Sequence, residues 1–219
     1  MTLPYRFVFF DVDSTLVTIE GIDVLARGNP EIVRLTAAAM NGEIALDAVY
    51  GKRLEIIRPS RAAIDELAHR YRASLVDGAA ETIAALKAAG VQVHLVTAGI
   101  EQAIVPLAER LGIAARAVHA VRLSFDEHGQ YAGFDTRSFL TKPGGKELVV
   151  RDVRARSHGK AAFVGDGVSD LEAAPAVDLF IGFGGVAVRE SVRAGAQRYA
   201  MSFGEVFEML TGDKLTSLS

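Results

Sequence analysis

Four short runs of β-branched and aromatic residues, Arg6–Phe10, Val91–Val96, Ala161–Val164 and Leu179–Ile181, stop at Asp11, Thr97, Gly165 and Gly182. Most are continuously apolar rather than alternating, the pattern of strands covered on both faces of a parallel sheet. Helical periodicities lie between them, at Ala79–Ala89 closed by Gly90, at Glu101–Leu111 closed by Gly112, and at Gly145–Arg156. Strands alternating with helices predict an α/β, doubly wound, mainly parallel core. In such sheets ligands gather at the carboxyl ends of the strands, where these polar residues fall.

The first two runs are too far apart for a single crossover. From Leu16 to about Leu75 the pattern is helical only. Asn29 caps a helix with Pro30 at its first position, running to about Met40; a second covers Leu46–Ile57; Pro59-Ser60 opens a third from Arg61 to about Leu75. The expected organisation is a core from residues 1–16 and 76–219, with a helical cap at 17–75 inserted over the strand ends. Arg122–Phe125 and Tyr131–Phe134, around Asp126-Glu127-His128-Gly129-Gln130, predict a β-hairpin insertion at about 121–136. Lys214–Ser219 is expected to fray.

At 219 residues and 50% apolar composition the chain can bury one sizeable core with a smaller insertion. A net charge of -3 and the lack of any basic stripe speak against a nucleic-acid partner. With no cysteine, thiol catalysis and thiolate metal sites are excluded. No apolar stretch approaches the roughly 20 residues needed to cross a bilayer, and Phe7–Phe10 is too short for a signal-peptide core. The expectation is a soluble cytoplasmic protein without a membrane partner; nothing in the pattern sets an oligomeric state.

Two carboxylate clusters suggest chemistry. In Phe10-Asp11-Val12-Asp13-Ser14-Thr15-Leu16, two acids follow directly on a buried strand. Burial and like charge both raise carboxylate pKa values, so such a pair wants a compensating cation. Mg²⁺ suits it, taking hard oxygen ligands while keeping water and substrate phosphate in its shell. An acidic turn that caps the next segment would account for this cluster equally well. In Gly165-Asp166-Gly167-Val168-Ser169-Asp170 a carboxylate again follows a strand, between glycines that allow a tight turn. Asp170, opening the next helix, can reach back to the same place, although an N-cap with a helix-dipole acid would read alike. Both clusters at strand ends of one sheet point to a shared site.

Phosphoryl transfer also needs positive groups around the equatorial oxygens. Lys146, in Pro143-Gly144-Gly145-Lys146, opens a helix whose free N–H groups favour an anion; on its own such a lysine is solvated surface. It is not a Walker loop, because Glu147 replaces the required Ser or Thr and no strand leads in. Thr97 offers a hydroxyl, with Ala98 and Gly99 behind it offering N–H groups, though strand-end hydrogen bonding would use the same atoms. Gly182-Phe183-Gly184-Gly185-Val186-Ala187 mimics a dinucleotide fingerprint, but too little chain follows for that fold. The five histidines show no metal-ligand spacing.

With these sites in hand, the chain resembles the haloacid dehalogenase superfamily of aspartate-nucleophile phosphatases, over nearly its whole length. The stretches Glu20-Gly21-Ile22-Asp23 and Tyr131-Ala132-Gly133-Phe134-Asp135 are similar to the branch that acts on O-phosphoserine. The resemblance implies that Asp11 is the nucleophile and that Asp13 protonates the leaving oxygen, then serves as base. It implies Mg²⁺ held by Asp11, the Asp13 backbone carbonyl and Asp166, with Asp170 orienting Lys146 from behind. Thr97, Ala98, Gly99, Lys146 and Ser169 would meet the phosphoryl group of a small phosphomonoester. Arg53 and Glu20 would read the carboxylate and ammonium of phosphoserine; alternatively they pair with each other or with solvent. Met40 would serve as an apolar wall or as core.

The chain departs from the family pattern at Thr97-Ala98-Gly99, where Ser-Gly-Gly is usual, and at Asn41-Gly42, where a glycine pair is usual. Another small phosphomonoester, or transfer to an acceptor alcohol, is the nearest alternative activity. A phospho-acceptor regulatory domain shares the strand-end acids and lysine, but a signalling surface must stay open and the helical insertion would cover it. Dehalogenation would leave Asp13 without a purpose.

Overall fold

The computed structural model of the chain describes residues 3–213, so the tail at Lys214–Ser219 lies outside the described residues. Eight strands form among them: β1 (Phe7–Phe10), β2 (Gln92–Ile100), β3 (Val118–Val121), β4 (Leu123–Phe125), β5 (Tyr131–Phe134), β6 (Ala161–Gly165), β7 (Leu179–Phe183) and β8 (Arg198–Ala200). Six build one sheet in the order β3-β2-β1-β6-β7-β8, with every pairing parallel. The doubly wound α/β core expected from the continuous apolar runs is present. Phe9, Phe163 and Phe180 stack across β1, β6 and β7, and each buried ring contributes roughly 1.5–3 kcal/mol.

Successive strands step outward from β1 in one direction and from β6 in the other, so the order reverses between these two central strands. A crevice opens at such a reversal, beyond the carboxyl ends. Register brings the ends level: Phe10 lies opposite both Leu95 and Val164. The next residues, Asp11 on one side and Gly165-Asp166 on the other, therefore meet at the crevice, and the Asp11 N–H donates to the Val164 carbonyl.

Between β1 and β2 lie helices α1 (Gly21–Leu25), α2 (Pro30–Met40), α3 (Leu46–Ile57), α4 (Arg61–Ala73) and α5 (Ala79–Ala88). Asn29 and Ser60 cap α2 and α4 through their side chains, as their positions predicted. The short α1 has no apolar period to announce it. The chain leaves the sheet and returns at one place: Val17 bridges Leu75, the Thr18 N–H donates to the Ser74 carbonyl, and the Val76 N–H to that of Leu16. Helix α4 packs on α6 (Glu101–Arg110), which follows β2. The hairpin β4–β5 is antiparallel and separate from the main sheet.

The remaining helices are α7 (Gly145–Ala155), α8 (Val168–Leu171), α9 (Glu190–Gly195) and α10 (Phe203–Thr211). Two expectations need correction. Strand β2 does not stop at Val96 but runs on to Ile100 through a break in register, which places Thr97–Gly99 in an irregular stretch. Asp170 is the third residue of α8 rather than its start. Strands β3 and β8 carry no continuous apolar run, because they sit at the two sheet edges with one side uncovered. No helix among the described residues is long and apolar enough to cross a membrane.

Candidate active site

The crevice gathers residues from five separate stretches of chain. One cavity is lined by Asp11, Asp13, Glu20, Arg53, Thr97, Ala98, Gly99, Lys146 and Ser169, with Met40 and Tyr50 on its wall. Asp166 and Asp170 do not line it and are fully buried. One carboxylate oxygen from each of Asp11, Asp166 and Asp170 falls within 4.8 Å of the others. The Asp13 carboxylate is turned elsewhere, accepting from the Gly21 N–H and the Tyr71 hydroxyl, each at 2.7 Å.

Lys146 is the cation that reaches both Asp11 and Asp170. Its Nζ lies 2.5 Å from Asp170 Oδ1 and 2.9 Å from Asp11 Oδ1. The second approach is off-line, so Asp11 Oδ1 has an ion-pair neighbour but no hydrogen-bond partner. The backbone fixes this placement. Gly144 takes a left-handed φ of +71° to turn into α7, and a Cβ on Gly145 would strike the Phe139 carbonyl. Burial alone would lower the Lys146 pKa, but Asp11 and Asp170 more than reverse it, so the ammonium stays charged.

Positive charge is nonetheless short. Burial and then the Asp11 charge push Asp13 up to about 6 and Asp170 up to about 7, against smaller opposing pulls that include Lys146. Burial, Asp11 and Asp170 raise Asp166 well above the carboxylate range, and burial, Asp13 and Asp166 do the same to Glu20. Crowded hard oxygens with an unpartnered Asp11 Oδ1 among them are the donor set that a divalent cation of the Mg²⁺ class takes. The residues present fit such an ion.

The pairing of Glu20 with Arg53 that the sequence left open does not form. Glu20 Oε1 accepts from the Ser14 hydroxyl at 2.5 Å and lies 3.8 Å from Arg189. Arg53 is neither solvated nor salt-bridged. It is 5% exposed, donates to Thr36 Oγ1 at 3.1 Å, stands 5.9 Å over the Tyr50 ring, and keeps an unpartnered Nε. Ala98 lines the cavity and its carbonyl accepts from the Tyr50 hydroxyl, whereas Asn41 is exposed and donates to Glu43. Of the two departures from the family pattern, only Ala98 faces the cavity.

Several site residues escaped the sequence reading. Arg189 pairs with Asp166 Oδ2, while Thr15 donates to Oδ1 at 2.7 Å. Arg189 follows the glycine loop that mimics a dinucleotide motif, and one arginine before a short helix carries no signal of its own. Tyr50 and Tyr71 read as core aromatics at helical spacing, which they also are. Only their hydroxyls, aimed at Ala98 and Asp13, separate the two uses.

The family model for haloacid dehalogenase-like hydrolases matches residues 8–175. Phosphoserine phosphatase of Bos taurus is 38% identical over 207 residues, covering 93% of this chain and 92% of its own length. A crystal structure of a phosphoserine phosphohydrolase-like protein from Francisella tularensis superposes with a TM-score of 0.86 at 24% identity, over 94% of this chain and all of that one. The phospho-aspartyl intermediate analogue of a phosphoserine phosphatase gives 0.80, also at 24% identity, over 94% and 99%. At such identities the two structures speak to fold alone.

Proposed function

The chain belongs to the haloacid dehalogenase-like hydrolases, and from that premise we propose that it hydrolyses O-phosphoserine to serine and phosphate by way of an aspartyl-phosphate on Asp11. The Asp11 carboxylate attacks phosphorus and the P–O bond to serine breaks. Asp13 gives its proton to the departing oxygen, because an alkoxide leaves poorly without one. Asp13, now ionised, takes a proton from the water that attacks the same phosphorus, and Asp11 is regenerated as phosphate departs. In the metal-free site burial and then the Asp11 charge raise the Asp13 pKa, which favours a held proton there before the first step.

Asp11, the Asp13 carbonyl and Asp166 would hold Mg²⁺, which when bound would offset the negative charge of the phosphoryl oxygens. Lys146 and the Thr97 hydroxyl meet the remaining oxygens, with Ser169 and the Ala98 N–H at hand, while the Gly99 N–H donates to Thr97 Oγ1 at 3.0 Å and Asp170 holds Lys146 in line. The helical segment 17–75 acts as the cap that covers the reacting groups and excludes water.

Arg53 is the observation that carries the substrate reading. A buried guanidinium with no carboxylate partner is a ready receptor for one, and Glu20, on the wall of the same cavity, can take an ammonium. An α-amino acid brings both charges on one carbon. The test is Arg53→Ala assayed with Mg²⁺ on phosphoserine and on an aryl phosphate lacking the amino-acid end. Loss of a desolvated charge partner costs about 2–5 kcal/mol, so kcat/KM on phosphoserine should fall at least about thirtyfold more than on the aryl ester. Equal losses on both esters would remove Arg53 from substrate recognition.

A further inference from the structure

The Asp13 carboxyl group is gripped on one oxygen only. Oδ1 accepts from the Gly21 N–H at the start of α1 and from the Tyr71 hydroxyl near the end of α4, at 2.7 Å each. Two donors occupy the lone pairs of that oxygen and fix the rotation of the group, which leaves Oδ2 to carry a proton. Oδ2 faces Gly99 of β2, 2.9 Å from where a Cβ on that residue would stand. Glycine at 99 therefore keeps the space over Oδ2 open, on the cavity wall shared with Thr97. Glycine at 21 keeps open the opposite side, where a side chain would collide with the Tyr71 hydroxyl. Tyr71 is fully buried, so water does not compete for this bond.

We propose that Tyr71 is a positioning residue for proton transfer: its hydroxyl locks the Asp13 carboxyl so that Oδ2, on the cavity side, presents the proton to the departing oxygen. The inference rests on Asp13 being the proton donor, and adds that a cap helix sets the donor's aim. Helix α4 enters the chemistry through the hydroxyl of Tyr71, at the wall of the cavity, and the acid is correctly turned only when α4 is seated.

The test uses leaving groups that differ in their need for a proton: the serine alkoxide of phosphoserine and the nitrophenolate of 4-nitrophenyl phosphate. Tyr71→Phe keeps the ring and removes the donor. It should lower kcat/KM on phosphoserine by about tenfold, through kcat with KM little changed, and shift kcat/KM on the aryl ester by less than about twofold. Gly21→Ala, which crowds the hydroxyl from the other side, should give the same split and serves if the phenylalanine variant does not fold. Asp13→Asn is the control for the underlying reading and should show the split more strongly, by about a hundredfold or more. A split with Asp13→Asn but equal or absent losses with both Tyr71→Phe and Gly21→Ala would overturn the role of Tyr71. No split with Asp13→Asn would overturn the proton-donor reading, and the inference with it.

Discussion

Asp11 is surrounded by its own kind. Burial, and after it the charge on Asp11, raises the pKa of Asp13, Asp166 and Asp170, and Lys146 and Arg189 are the cations in contact with this group. Asp11→Asn keeps the shape and removes one charge from the crowd. We predict that turnover is abolished, while without metal the variant melts at or above the wild-type temperature, a gain of about 1 kcal/mol of the kind seen when an active-site conflict is relieved. Phosphate release and a thermal melt in chelator check both halves. A clearly lower melting temperature would mean that attraction to Lys146 outweighs the repulsion. At this scale the acid clusters were legible only as a pair, because either one alone fits an acidic turn while two at strand ends of one sheet meet in space. Tyr71 and Arg189 were not, because a buried tyrosine and a single arginine each have common structural uses.

At the scale of elements, the entry to α7 decides where Lys146 points. The helix begins against the Phe139 carbonyl, so closely that only a glycine at 145 fits. Gly145→Ala must push the first turn away from the 139–141 segment and carry Lys146 with it. Overpacking of this sort costs typically about 1–3 kcal/mol of stability. The lysine's displacement from Asp11 and the phosphoryl site should lower kcat/KM by about a hundredfold, since small misplacements are costly in such sites. Denaturant unfolding and steady-state kinetics on phosphoserine check this, and an alanine variant with unchanged kinetics would show that α7 tolerates the shift. Helix α2 was legible from its Asn29 cap and Pro30, and α3 at about its observed span although Ala45 gives it no side-chain cap. The irregular end of β2 was not, because its register break comes from pairing with β3 rather than from its own composition.

Across the whole molecule, two groups of titratable residues pull stability in opposite directions with pH. The raised acids at the carboxyl ends of the sheet gain from acid in the metal-free protein, since the folded state holds their protons more tightly than the unfolded chain. Mid-sheet, the His94 ring on β2 lies tilted 5.3 Å from Phe9 and stacked 5.5 Å from His119 on β3. Burial and then His119 push His94 down from 6.5 to about 4. Between those values the unfolded chain binds more protons, so the His94 contribution is complete above about 6.5 and lost as pH falls toward 4. We predict that His94→Gln makes the protein less sensitive to acid between pH 7 and 5, by roughly 1 kcal/mol after allowing for partial exposure. Denaturation midpoints of both proteins at the two pH values measure it, and identical pH dependence would exclude the histidine from the balance.

The amino-acid sequence by itself determined the layered α/β class, the helical insertion, and the pairs of acids at strand ends. Each follows from local pattern, where apolar period, caps and turns act over a few residues. Only the tertiary structure decided which side chains share the crevice and how they face. Strand order set Asp11 beside Asp166, packing of the inserted helices set Tyr71 on Asp13 and left Arg53 Nε unpartnered, and the loop after β7 delivered Arg189 to Asp166. Those relations span up to about 150 residues of chain. They are fixed by how whole elements pack, which no window of the sequence contains.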